Sequence, residues 1–295
     1  HQLLREPRSD VGQRLVASAR AREGGRSPQR PDRETVLQVE EMRCWHAIGG
    51  MPWAPVWLKA VEGVSFNLRA GETLGVVGAS GCGKSTLCRA LMGLNSIRGG
   101  RVDLLGQDLL KLRGEKLRSA RRALQMVFQD PLACLNPALP VVDAIADPLL
   151  IHGIATKASA RERARGLLER VGLSPVEQFQ HRLPRQLSGG QQQRVAIARA
   201  LALEPRVVIC DESVSMLDAE VQAEVLSLLR DLQHQLGLAM IFVTHDLSVA
   251  SGFCHRVIVL DKGRIVEEGP GDRLFEAPQT PISRLLVEAC PRLPR

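Results

Sequence analysis

The apolar segment Thr73-Leu74-Gly75-Val76-Val77 runs straight into Gly78-Ala79-Ser80-Gly81-Cys82-Gly83-Lys84-Ser85-Thr86, and helical spacing of apolar residues resumes from Lys84 to Met92. A strand that ends on a glycine-rich turn and reopens as a helix confines this part of the chain to one local geometry. In it the backbone amides from Ala79 to Ser85 converge on a single concavity at a helix N-terminus. Gly78, Gly81 and Gly83 permit the turn, Lys84 adds a point charge, and Ser85 offers a hydroxyl to Mg²⁺, the loop being completed by Ser80, Cys82 and Thr86. A cradle of this composition takes the β- and γ-phosphates of a nucleoside triphosphate. Cys82 occupies a free position of the loop and reads as a small filler rather than a redox thiol.

The remaining pattern extends the unit into a layered α/β domain. Leu37–Val39, Val61–Leu68, Arg101–Leu105, Gln125–Phe128, Val207–Cys210, Met240–Thr244 and a hairpin across Val257–Val266 read as strands. Several are continuously apolar, as strands buried on both faces must be. The fold class expected is α/β: a phosphate-loop core with a mixed, mainly parallel sheet, joined by an antiparallel β subdomain. Between Pro131 and Leu187 only helices are expected, at Val141–Ile151 and Ser159–Val171, which makes the stretch from about 131 to 190 a helical subdomain carried on the core. Arg273–Ala277 and Ile282–Ala289 read as short amphipathic helices. The domain is expected over 35–277, with residues 278–295 as a short C-terminal extension.

One strand end brings two acidic groups to the phosphate loop. Asp211 closes Val207-Val208-Ile209-Cys210, so its carboxylate stands at the sheet edge where ligands of such sheets bind, placed to hold Mg²⁺ through water. Glu212 follows as the natural base for an attacking water. Farther along, Ser188-Gly189-Gly190-Gln191 opens a helix whose unhindered N-terminal amides form a second anion site.

Charge and composition narrow the function class. The net charge of +7 is partly local, since residues 1–34 hold eight Arg against five acidic groups. That basic stretch reads as a poorly ordered leader, its acidic residues counting against a transit peptide. Aromatic content is 3%, with no Tyr, so stacking platforms for single strands are scarce and no nucleic-acid partner is expected. Seven scattered cysteines without a C-x-x-C pattern suit a reducing compartment and buried thiols. No run of about 18 apolar residues is present to span a bilayer.

The glycine loop, Leu187-Ser188-Gly189-Gly190-Gln191 and the strand ending in Asp211-Glu212 together resemble the ATP-binding-cassette (ABC) ATPases. The resemblance covers about residues 36–288, and it implies ATP and Mg²⁺ as ligands. It makes Gln129, in Gln125-Met126-Val127-Phe128-Gln129-Asp130-Pro131, a contact to Mg²⁺ and the attacking water and a link to the helical insertion. It likewise makes His245, in Thr244-His245-Asp246, the switch histidine at the γ-phosphate. Ser188, Gly189, Gly190 and Gln191 then close over a nucleotide held by a second ATPase subunit arranged head to tail, and Asp218, in Ser215-Met216-Leu217-Asp218, lies in the loop crossing that interface. Met216 departs from the family pattern, which keeps a small residue there. Adenine stacks on an aromatic ahead of the first long strand, with Trp45 the leading candidate after the strand Leu37-Gln38-Val39, His46 next, and Trp53 and Trp57 competing.

Phe128-Gln129-Asp130-Pro131-Leu132-Ala133-Cys134-Leu135-Asn136-Pro137 is similar to the oligopeptide/dipeptide/nickel importer ATPases, with Asp211–Asp218 leaning toward the nickel or metallophore members. Such a subunit works at the cytoplasmic face of the inner membrane, held there by two transmembrane permease subunits and served indirectly by a solute-binding protein. Homodimer and heterodimer both remain open. A soluble ABC ATPase acting on nucleic acid or translation is the alternative; a phosphate-loop kinase or GTPase is opposed by Ser188–Gln191.

Overall fold

A computed structural model of the chain describes residues 33–51 and 54–290; residues 1–32, Pro52, Trp53 and the tail 291–295 lie outside the described residues. The chain opens with a long antiparallel ribbon, β1 (Thr35–Met51) and β2 (Ala54–Arg69), turns into β3 (Thr73–Val77) and passes through the glycine loop into α1 (Lys84–Leu91). β4 (Gly99–Leu104), β5 (Gln107–Asp108) and α2 (Gly114–Ala120) precede β6 (Leu124–Val127). A wholly helical stretch follows: α3 (Pro131–Cys134), α4 (Val141–Ile151), α5 (Lys157–Arg170) and α6 (Gly189–Leu201). Strands and helices then alternate through β7 (Val207–Asp211), α7 (Ala219–Leu236), β8 (Ala239–Thr244), α8 (Leu247–Phe253) and β9 (Arg256–Asp261), ending in β10 (Arg264–Pro270), α9 (Gly271–Glu276) and α10 (Pro281–Glu288).

Six strands form the central sheet in the order β10-β9-β3-β8-β7-β6, parallel except for the edge strand β10. A separate antiparallel sheet has the order β2-β1-β4-β5. Because successive strand side chains point to opposite faces, each buried strand serves two cores at once. Val207, Ile209, Ile241, Val243, Ile258 and Leu260 pack with α1 and the antiparallel sheet. Their sequence neighbours Val208, Cys210, Met240, Phe242, Val257 and Val259 pack with the helices on the far face. That double burial is the reason these strands read as unbroken apolar runs.

The ribbon is longer than hydropathy indicates. β1 pairs with β4 only from Leu37 to Arg43; beyond it, β1 and β2 continue as a pair to Met51 and Ala54. Ile48, Met51, Val56 and Leu58 are exposed there, so neither face imposes an apolar alternation, and the pairing rests on cross-strand hydrogen bonds and side-chain contacts such as Lys59 on Trp45. Helix α7 is bounded by side chain and backbone: the Asp218 carboxylate accepts from the amides of Glu220 and Val221, and Gly237 closes it at φ 63°.

Arg256 ties the two sheets together. Its Nε donates to Glu72 at 2.9 Å, one Nη to the Asn67 carbonyl and side chain in β2, and the other to Glu268 in β10. Glu72 is 6% exposed, so Arg256→Ala leaves a buried carboxylate with the Arg69 amide but without its counter-charge. The expected loss is about 3 kcal/mol, read as a lower urea midpoint at unchanged slope.

Candidate functional site

Neighbouring strands of the central sheet end side by side, and the predicted groups stand on those ends. β3 delivers the glycine loop, β7 delivers Asp211 and Glu212, and β8 between them delivers Thr244 and His245. Gln129 follows the edge strand β6 and is exposed. This is the carboxyl edge of a parallel sheet, where loops are free to diverge and leave a crevice.

The loop is held by close backbone approach. Gly83 sits at φ 111° before α1, and a Cβ there would lie 2.2 Å from the Ala60 carbonyl oxygen of β2. Only glycine fits. Lys84 is 5% exposed, and its ammonium donates to the carbonyls of Gly78 at 2.8 Å and Ala79 at 3.1 Å, which puts a positive charge across the loop's mouth. Ser80 and Gly81 are exposed, while Cys82 is buried, its Sγ turned toward Gly78. Thr86 lies in the first turn of α1.

The Ser85 hydroxyl donates to Asp211 Oδ1 at 3.1 Å. Burial pushes the Asp211 carboxyl above its ordinary value, with the Ser85 bond pulling the other way. A desolvated carboxylate facing a hydroxyl in the mouth of a phosphate cradle is a donor set suited to a hard cation, so the residues present fit Mg²⁺. Among the described residues no cluster of three or more His, Cys, Asp or Glu forms a metal centre by itself.

Glu212 has φ 46°, a left-handed conformation that costs a side-chain-bearing residue energy. Neighbours impose it: its amide donates to the Val243 carbonyl at 3.1 Å, and its own carbonyl accepts from the amide and hydroxyl of Ser215. Held this way, Glu212 Oε2 lies 3.8 Å from His245 Nδ1. His245 is itself fixed by its flanks, since the Asp246 amide donates to Thr244 Oγ1 at 3.0 Å and the Asp246 carboxylate caps α8. Thr244 and Asp246 have no role in the sequence reading; the visible signal for them is an Asp before the apolar run that starts α8.

Ser188 caps α6 in a reciprocal box, its Oγ accepting from Gln191 N at 3.3 Å and its own amide donating to Gln191 Oε1 at 3.0 Å. Ser188 and Gly189 are exposed at that end. The same end packs on the loop around Asp218: a Cβ on Gly190 would lie 2.4 Å from Val221 Cγ1, whereas one on Gly189 would meet Leu217 at an ordinary 3.7 Å. Met216 is 73% exposed, so its bulk strains nothing inside the chain. Trp45 pairs across the ribbon with Lys59, whose Nζ lies 4.9 Å from the ring centroid, and its indole N–H donates to Glu62 at 2.7 Å. Trp57 is covered by Arg98 at 4.1 Å, and His46 pairs with Leu58. The ribbon thus brings Trp45, opposite Lys59, next to Ala60, the residue that abuts the glycine loop, with His46 opposite Leu58 one position farther out.

A family model described as ABC transporter matches residues 61–215, more than half of the chain. The chain belongs to the ABC transporter family. It is similar to the oligopeptide transport ATP-binding protein OppF of Escherichia coli, at 44% identity over 264 residues, covering 88% of this chain and 78% of OppF. It is 50% identical over 234 residues to the probable peptide ABC transporter ATP-binding protein y4tS of Sinorhizobium fredii, covering 79% of this chain and 66% of that protein. Among solved structures, the ATP-binding cassette MJ0796 in a dimeric post-hydrolysis state bound to ADP and Pi superposes with a TM-score of 0.70 at 31% identity, over 79% of this chain and 98% of that one. The cassette is an ABC ATPase of the oligopeptide/dipeptide/nickel importer group, with the α/β fold expected of it. No helix among the described residues is long and apolar enough to cross a membrane.

Proposed function

We propose that this cassette hydrolyses MgATP as a peripheral subunit of a membrane importer whose cargo class is peptides, the class for which its relatives are named. The observation that carries the reading is the convergence on one crevice of the Lys84 ammonium, the Ser85–Asp211 pair and the Glu212–His245 pair. Lys84 and the amides from Ala79 to Ser85 hold the β- and γ-phosphates. Ser85, Asp211 and Gln129 would hold Mg²⁺, which supplies neutralisation of phosphate charge. Glu212 takes the proton of a water that attacks the γ-phosphorus; the bond to the β,γ-bridging oxygen breaks, and ADP and phosphate leave. His245 donates to the γ-phosphate and stays within reach of Glu212.

The exposed Ser188–Gly189 end of α6 supports a second site, filled by the nucleotide of a partner cassette. ATP binding then closes a head-to-tail dimer and hydrolysis reopens it, a motion that the helical subdomain about 131–190 passes to two permease subunits at the cytoplasmic face of the inner membrane. A solute-binding protein would meet the permeases rather than this chain. Adenine is taken by the aromatic end of the ribbon, at Trp45 or His46.

The intrachain packing makes this testable at one atom. Gly189→Ala fits its own chain, so its melting temperature should stay within about 2 °C of the wild type. ATP turnover should still fall about tenfold or more, because the added methyl stands where a partner's phosphate must approach. Full turnover in Gly189→Ala would remove the composite site.

A further inference from the structure

The C-terminal helices bear on the turn that carries His245. β10 has a bulge between Ile265 and Glu267, and after it Glu267 stands opposite Val259. A bulge re-aims the side chains that follow it. The Glu267 carboxylate accepts three hydrogen bonds, each of 2.9 Å: from the Gln279 amide, the Thr280 amide and the Thr280 hydroxyl. Thr280 is the N-cap of α10, accepting from Ser283 N, and its hydroxyl lies 2.7 Å from that of Ser283, which is fully buried. A single carboxylate therefore seats the whole start of α10.

At its other end α10 leads to Cys290, which is 9% exposed. Its Sγ lies 3.9 Å from Asp246 Oδ1 and 3.2 Å from the Leu286 carbonyl. The same Asp246 oxygen accepts from the amide of Ser248 at 2.8 Å and of Val249 at 3.3 Å, and so fixes the first turn of α8 directly after His245. Val287 of α10 and Leu274 of α9 share the core with Leu247, Val249, Ala250 and Phe253 of α8. Helix α8 is thus pressed between the central sheet and the C-terminal helices.

We propose that the segment 277–290 is a clamp on the His245 turn, with Glu267 as its positioning residue. Glu267 locks α10 down, α10 backs Asp246 and α8, and the turn from Thr244 to Asp246 is held with His245 facing Glu212. The inference rests on the role given to His245 above.

The test uses the full chain with Glu267→Ala, and with Thr280→Val as a second variant that removes the hydroxyl bonding Glu267 and capping Ser283 N while leaving both amide bonds to the carboxylate. In steady-state ATP hydrolysis, kcat should fall about 3- to 10-fold in Glu267→Ala with KM for ATP unchanged, since misplacing a positioned group affects the chemical step more than ground-state binding. Thr280→Val should fall between it and the wild type. Hydrogen–deuterium exchange should accelerate at Ser248 and Val249 and remain slow across Lys84–Leu91. On the residual rate of His245→Ala, adding Glu267→Ala should have no further effect, because the clamp acts through the missing imidazole. An unaltered kcat, or an equal loss with and without His245, overturns the clamp. The exchange readout needs no turnover, so an inactive wild-type chain, which would defeat the ATPase reading, is distinct from unchanged exchange at 248 and 249, which would defeat this one.

Discussion

Glu212→Gln should bind ATP normally and fail to turn it over. Its φ of 46° is imposed by the Val243 carbonyl and by Ser215, and the amide is isosteric with the carboxylate, so the backbone and its bonds survive the change. What disappears is the proton acceptor. General-base catalysis contributes roughly 10²- to 10⁴-fold, and kcat should drop by that factor with little change in nucleotide affinity. Because reopening depends on hydrolysis, the variant should also accumulate as an ATP-dependent dimer on size-exclusion chromatography. Full residual turnover would reassign the base, with His245, 3.8 Å away, the next group to examine.

Lys84→Met should act at the earlier step. The ammonium is 5% exposed and bridges the Gly78 and Ala79 carbonyls, and methionine fills nearly the same volume without the charge. Bonds from a charged donor are worth about 1.5–3 kcal/mol each, so ATP affinity should fall about 10²-fold by calorimetry. The fold should hold, because α1 is seated by Leu87, Cys88 and Leu91 in the core rather than by the lysine head. An unchanged affinity would mean that the triphosphate lies elsewhere. The two variants are thus separable: one binds and stalls, the other does not bind.

Much of this molecule is legible in its amino-acid sequence. Thr73–Val77 is the strand expected, Val141–Ile151 the helix expected, and the helical insertion contains no strand among the described residues. Most other element ends shift by one or two residues, as where Lys157–Arg170 begins at a Thr156 cap two residues ahead of the expected Ser159, although β10 runs four residues past the expected Val266 to Pro270. The ribbon was legible only in part, because Ile48, Met51, Val56 and Leu58 in its outer half are exposed and leave no hydropathy period. Helix α7 announces itself by Asp218 and Gly237 yet lies outside the elements expected from pattern.

The glycine loop, the Ser188–Gln191 helix start and the acidic strand end are contiguous in the chain, and residue type together with local backbone geometry dictates their chemistry. Folding was needed to bring Ser85 to Asp211 and Glu212 to His245, since these pairs meet only when segments far apart in sequence join one sheet, β7 beside β8 and β3 one strand beyond. The same is true of Gly189 and Gly190, alike in sequence but with different space around them, and of Glu267, whose hold on α10 depends on a bulge in an edge strand. Local pattern encodes what a side chain is able to do, whereas strand order and packing decide what it meets.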